Sequence, residues 1–449
     1  LQAATIDPVE LSKHNIFSAI HQSDEYFLVN LLSGNADILS PVEARRLLDH
    51  EVTTDPEYIE KGYVVDPLEE AKTYRRKYLD FIDTRDTDEI QLFFVPTYTC
   101  NFSCSYCYQD GYLKAGQENV GDITTAFFSY IRKTFGNRKK YVTLFGGEPL
   151  LAGVKNREFL ESFVELCRED SLDLAVVTNG YTLEEYVPLL SRAGIREIQV
   201  TLDGPENVHN QRRPMKGGKE TFGAIVRGID AALLANLPVN LRVVIDKENL
   251  AALPELAQFA VNKGWTRAAG FKTQFGRNYE LHYCQLQQSK LYSRIELYRD
   301  LYRLINDHPV VLEFHRPAYS VSKFLFENGE LPAPLFDSCP GCKTEWAFDY
   351  TGKIFSCTAT VGKPGEELGT FYPESRLKTD LVEEWQQRDV LSISGCGNCN
   401  LRLACGGGCA SVAYNKANTL HAPDCRPVKE LLELGISLYS NLDKKDLIT

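Results

Sequence analysis

Thirteen cysteines constrain this 449-residue chain more than any other feature, because eleven of them fall into two groups. Cys100, Cys104 and Cys107 form the first group; Cys339, Cys342, Cys357, Cys396, Cys399, Cys405, Cys409 and Cys425 form the second. Cys167 and Cys284 stand apart. The opening LQAATIDPVELSKHN has neither a basic nor an apolar segment, and no apolar run reaches about eighteen residues. The chain is therefore expected to be cytoplasmic, with no membrane partner. A reducing compartment does not sustain disulfides, so clustered cysteines there point to metal or catalysis. A formal net charge of -12 argues against a nucleic-acid partner, which rewards clustered Lys and Arg.

Three zones follow from the pattern of the chain. In residues 1–88, EYFLVNLL reads as a strand, Ser33-Gly34-Asn35 as a turn and ADIL as the return strand. Ser40-Pro41-Val42-Glu43 carries an N-cap, a proline at the first helical position and a capping glutamate. A short strand at GYVVD and a charged helix over about 67–83 complete a small α+β module. Residues 89–310 alternate strand and helix. Apolar runs at 90–96, 141–145, 174–178, 198–202, 241–245 and 268–275 read as buried parallel strands. Amphipathic stretches such as REFLESFVELCRED separate them, and a bridging helix is expected around 286–307. Six such repeats suit an α/β fold, a partial (β/α)6 TIM-like barrel, with active residues at the C-terminal ends of its strands. Residues 311–449 hold the second cysteine group and then a C-terminal helix. Few long helices and many Cys and Gly fit a domain organised by metal.

The first group has CxxxCxxC spacing on the loop after the first barrel strand. Three thiolates so placed can hold three irons of a [4Fe–4S] cluster and leave the fourth iron open to a cofactor or substrate. A zinc site or a ferredoxin-like loop would each want a fourth protein ligand, and none lies nearby in sequence.

CxxxCxxC with Tyr106 before the last Cys resembles the radical S-adenosylmethionine (SAM) superfamily. Further segments carry the same resemblance at successive strand ends: Gly146-Gly147-Glu148-Pro149, Thr178-Asn179-Gly180, Gln199-Val200-Thr201-Leu202-Asp203-Gly204 with His209 and Arg213, and Leu241-Arg242-Val243-Val244-Ile245. The resemblance implies a SAM site built from Tyr106, Gly146, Gly147, Glu148, Pro149, Asn179, Thr201, Asp203, Arg213, Arg242 and Ile245. Gly146-Pro149 would take the SAM amino group, and the fifth-strand residues would flank its carboxylate and adenine. The implied reaction passes one electron from the cluster to SAM, generating a 5′-deoxyadenosyl radical that abstracts hydrogen.

The second group resembles the SPASM domain, which implies two auxiliary [4Fe–4S] clusters and three clusters in all. By that resemblance Cys339, Cys342, Cys357 and Cys409 hold one, and Cys396, Cys399, Cys405 and Cys425 the other. Taken alone, eight cysteines also suit a pair of four-cysteine zinc sites, and whether Cys339 ligates is left open.

SPASM enzymes in general act on ribosomal peptides or proteins, so the resemblance implies a peptide maturase of oxidoreductase type. A precursor peptide and an electron donor such as flavodoxin or ferredoxin would be its partners. A thioether or carbon–carbon crosslink, or a related oxidation, would be its product. The alternative is a radical SAM dehydrogenase of a small molecule such as a sugar alcohol. Relatives that mature sulfatases carry Asp directly after the cysteine matching Cys357; Thr358 stands here and counts against that activity. The N-terminal module suits either leader-peptide recognition by strand addition or a cap on the barrel. Glu345, Asp349, Tyr350 and Tyr98 flank the cysteines, yet Asp349-Tyr350-Thr351-Gly352 also reads as a plain hairpin turn. No catalytic acid or base is assigned.

Overall fold

The computed structural model describes residues 9–109, 111–112, 120–278 and 290–446. Cys284 and the first residues of the expected bridging helix lie outside them.

Strands β1 (Glu10–Leu11), β2 (Asn15–Ala19), β3 (Tyr26–Asn30), β4 (Asn35–Leu39) and β5 (Val64–Val65) belong to the N-terminal module. β2, β3 and β4 form an antiparallel sheet in that order, and β1 pairs with β5. The expected hairpin thus gains a third strand, β2. Helix α1 (Pro41–Leu48) carries the complete capping box, Ser40 accepting from Glu43 N–H and Glu43 accepting from Ser40 N–H. Helix α2 (Pro56–Glu60) is a single turn the pattern did not announce, and α3 (Pro67–Thr87) runs 21 residues from an Asp66 cap. The module packs on the cysteine-rich half: Ile16, Phe27, Val29 and Leu31 share one core with Phe336, Ile393, Leu403 and Leu432. Tyr74, Tyr78 and Phe81 of α3 close around Phe336.

The barrel strands are β6 (Ile90–Val95), β7 (Lys140–Leu144), β8 (Leu174–Thr178), β9 (Ile195–Thr201), β10 (Val239–Ile245) and β11 (Phe271–Arg277). All five pairings between successive strands are parallel. The apolar side chains of β6, β8 and β10 are mostly buried on both faces, which is why those runs are near-continuous in the sequence, while β11 has none buried. The sheet does not close. β6 instead pairs in parallel with β12 (Glu345–Asp349), and the sheet continues through β13 (Lys353–Phe355), β14 (Gly369–Thr370) and β15 (Arg376–Leu377). The cysteine-rich half is therefore stitched to the first barrel strand, with Asp349 opposite Val95. The bridging helix spans Arg294–Asp307 and the last helix Val428–Asp446. Cys167 is fully buried in the helix Val154–Glu169, a core residue. No helix among the described residues is long and apolar enough to cross a membrane.

Candidate active site

The loop after β6 carries Cys100, Cys104 and Cys107 at the C-terminal mouth of the barrel. The three thiols line a cavity of about 80 Å³ together with Tyr98, Phe102, Gln109, Gly147 and Lys216. Burial pushes the Cys100 and Cys104 thiols up to about 11, and Arg213 acts in the opposite direction on both. A cation beside the loop thus favours the thiolates that metal needs.

The Gly146-Glu148 turn is laid directly on this loop. Gly147 N–H donates to Thr97 O at 2.9 Å and Glu148 N–H to Thr99 O at 3.0 Å. A Cβ on Gly147 would stand 2.3 Å from Thr99 O, so only glycine permits the approach. The Glu148 carboxylate is fully buried and accepts from Thr178 Oγ1 (2.7 Å), Leu150 N–H (2.8 Å) and Asn179 N–H (2.6 Å). Its charge is spent inside the protein, tying the end of β7 to the end of β8. Asn179 Nδ2 then donates to Asn101 Oδ1 at 2.8 Å and lies 3.8 Å from Cys100 Sγ. Pro149 is buried behind the turn.

A second network hangs from Asp203, past the end of β9. Asp203 accepts from Tyr106 OH (2.6 Å), Val244 N–H (3.0 Å) and Arg212 Nε (3.4 Å). Arg213 donates to Tyr106 OH at 2.5 Å. His209 Nδ1 accepts from Asp203 N–H at 3.2 Å, and burial holds its pKa well below the usual value, so the ring is neutral. Arg212, which the sequence did not single out, forms a two-pronged ion pair with Asp246 at 2.8 and 2.9 Å. The segment after it runs back along the cysteine loop: Ser105 N–H donates to Arg212 O, Ser103 N–H to Pro214 O and Lys216 N–H to Asn101 O. Thr201 ends β9 opposite Arg242 of β10. Arg242 Nε has no partner among the described residues. Ile245 ends β10 inside the main core.

The second cysteine group divides into two neighbourhoods. Burial raises the thiols of Cys339, Cys342 and Cys357; Cys409 raises Cys339 and Cys357 further, and Cys339 and Cys357 raise Cys342 further. Burial likewise raises Cys396 and Cys425, each raised further by Cys399 and Cys405. Such repulsion fades with distance, so the thiols that act on one another in each set lie in the same neighbourhood. The all-thiol donor sets suit iron–sulfur clusters or zinc. Among the described residues no three Cys, His, Asp or Glu side chains are closed around a single ion position.

Tyr98 and Asp349 meet across the seam between β6 and β12, Tyr98 OH donating to Asp349 at 3.0 Å. Asp349 also accepts from Thr351 N–H and Oγ1 and so caps the β12–β13 turn. Tyr350 packs on Tyr98 at 5.7 Å between ring centres. Glu345 is turned toward Cys357 and accepts from Thr358 N–H at 2.8 Å.

Residues 94–260 match the family described as the Radical SAM superfamily. The chain is 32% identical over 174 residues to GTP 3′,8-cyclase of Nautilia profundicola, covering 38% of this chain and 52% of that protein. It is 33% identical over 172 residues to GTP 3′,8-cyclase of Campylobacter fetus, covering 37% of this chain and 51% of that protein. The chain thus spans about half the length of the curated relatives it matches. Among solved structures it is similar to native anSMEcpe with bound AdoMet and Kp18Cys peptide. That match has a TM-score of 0.61 and 18% identity, and it covers 80% of this chain and 100% of that one. It is also similar to Streptococcus suis SuiB bound to precursor peptide SuiA, with a TM-score of 0.54, 14% identity, and 93% and 99% of the chains covered. At these identities the likeness is one of fold.

Proposed function

We propose that this chain, whose residues 94–260 form a radical SAM domain, cleaves SAM reductively and uses the radical to modify a ribosomally made peptide. The observation that carries the reading is the shared cavity of Cys100, Cys104, Cys107 and Gly147 at the mouth of an open six-stranded barrel. Three thiols there would hold a [4Fe–4S] cluster with one iron left for SAM. When bound, that cluster supplies the electron that breaks a C–S bond of SAM and so yields the 5′-deoxyadenosyl radical.

The protein's own part is orientation. Gly146 and Gly147 would present backbone to the amino end of SAM, held in place by the buried Glu148 carboxylate. Arg242, with its unpartnered Nε, would face the SAM carboxylate, while Tyr106, Asp203 and Arg213 hold the cluster loop in register. The two four-thiol sets would hold auxiliary [4Fe–4S] clusters, and a flavodoxin or ferredoxin would deliver electrons. The likeness to GTP 3′,8-cyclases lies over half their length and carries the SAM chemistry rather than the substrate.

A peptide substrate is supported by the folds of anSMEcpe and SuiB, both solved with peptides, and by the N-terminal module. Among the described residues β4 pairs only with β3 and is an edge strand, a position suited to strand addition. Ile38 of β4 is 49% exposed, and Val42, Leu48 and Ile59 of the same module are exposed as well. Co-expression with candidate short peptides from any reading frame found beside the gene, read by mass spectrometry, is expected to show loss of two hydrogens from one of them. Ile38→Asp is expected to abolish peptide binding while leaving slow peptide-independent SAM cleavage intact. An unmodified peptide with turnover of a small-molecule alcohol would replace this reading with the dehydrogenase.

A further inference from the structure

Arg388 is the largest fully buried side chain among the described residues, and it touches none of the SAM machinery. Its guanidinium donates to four backbone carbonyls: Leu420 (2.5 Å), Gly408 (3.0 Å), Gly407 (3.1 Å) and Ala422 (3.3 Å). Two of these lie in the run Gly406-Gly407-Gly408 between Cys405 and Cys409. All three glycines have left-handed φ, at +62°, +76° and +75°, a sequence of conformations that side chains resist. A Cβ on Gly408 would stand 2.0 Å from Asp424 O. By the resemblance the turn sends Cys405 to one four-thiol set and Cys409 to the other; Arg388 holds Gly407 O and Gly408 O, Asp424 N–H also donates to Gly407 O, and Ser338 N–H donates to Gly406 O.

The charge around Arg388 is unbalanced. Its Nη1 is 3.9 Å from Asp337, whose carboxylate already takes the Lys343 ammonium and the Cys339 N–H. Lys343 also donates to Arg388 O at 3.0 Å. Asp389 is occupied by Tyr78 OH and two backbone N–H groups, and Asp424 by Arg294 and Lys416. Two buried cations therefore share one carboxylate between the thiol sets, an arrangement that is costly unless further negative charge sits beside it.

We propose that Arg388 is the positioning residue of the two auxiliary centres, fixing the Cys405–Cys409 turn and, with Lys343, offsetting the negative charge of thiolate-bound iron–sulfur clusters. The inference rests on reading both four-thiol sets as cluster sites. Its test uses the full chain with Cys100, Cys104 and Cys107 replaced by Ala, so that only the auxiliary centres report. That reference is expected to bind about eight irons; if it binds none, the cluster reading and this inference fall together. In the same background Arg388→Met is expected to lower the reduction equilibrium constant of the auxiliary EPR signal at least tenfold. That is a shift of about 59 mV to more negative potential. Arg388→Lys, which keeps the charge but not the four-carbonyl fork, is expected to shift it less. Loss of auxiliary iron from Arg388→Met with Arg388→Lys still loaded also supports the inference. Full iron and an unchanged potential in Arg388→Met overturn it. Collapse of the far-UV circular dichroism in both variants overturns it too, since Arg388 is then a general core residue.

Discussion

Replacing Glu148 by Gln removes something a carboxylate can do and an amide cannot. Leu150 N–H donates to one carboxylate oxygen and Asn179 N–H to the other, so the single amide oxygen of Gln serves only one of them. The remaining N–H is left facing an NH2 group in a fully buried site. A lost hydrogen bond to a charged group, together with an unsatisfied buried donor, costs about 2–5 kcal/mol. The cost falls on the link between the Gly146-Pro149 turn and Asn179, whose amide reaches Asn101 and the neighbourhood of Cys100. Hydrogen exchange followed by mass spectrometry reads it locally. Peptides covering 148–152 and 178–182 are expected to exchange roughly 30-fold to several thousand-fold faster in the Gln variant, while peptides of β2–β4 stay unchanged. SAM affinity of the reconstituted enzyme is expected to fall in parallel. Exchange at Asn179 within about threefold of the parent, a change worth well under 1 kcal/mol, would refute this account of Glu148.

Three other outcomes follow from the same geometry. Arg212→Met strands the buried Asp246 and weakens Asp203, and is expected to destabilise the barrel by about 3–5 kcal/mol, read as a fall in melting temperature. Gly147→Ala places a methyl 2.3 Å from Thr99 O, so the cysteine loop must move. That variant is expected to lose about four irons and SAM cleavage while keeping the auxiliary iron. His315 is held down to about 4 from 6.5 by burial, with Lys323 adding to the effect. Between those values the unfolded chain binds more protons, so stability is full above pH 6.5 and is lost as pH falls toward 4, by at most about 3 kcal/mol. His315→Phe is expected to flatten the melting temperature between pH 7.5 and pH 5; an unchanged slope contradicts it.

Strands such as β6, β8 and β10 were legible because burial on both faces writes itself as continuous apolar runs, and the α1 cap because its box is local. β2 was missed because HNIFSAI buries the polar His14 and leaves the apolar Phe17 half-exposed, giving no clean alternation of apolar and polar residues. The pairing of β12 with β6 joins residues 254 positions apart, as Glu345 with Gln91, and no local pattern announces such a partner. The cysteine groups were legible from spacing; Cys100, Cys104 and Cys107 line one cavity, while among the described residues no three such side chains close around a single ion position. Arg212 and Arg388 were not singled out. Each is an arginine in a polar stretch that would ordinarily lie at the surface, and only the tertiary fold encloses it. Tyr98 and Asp349 were noticed separately, but their contact exists only because the cysteine-rich half extends the barrel sheet.

The most direct test of the central claim is iron and sulfide content with EPR after anaerobic reconstitution, on the parent and on the variant with Cys100, Cys104 and Cys107 all changed to Ala. About twelve irons in the parent, about eight in the variant, and loss of 5′-deoxyadenosine production in the variant alone are the predicted results. Zinc in place of iron, or no SAM cleavage by the reduced parent, would contradict the account.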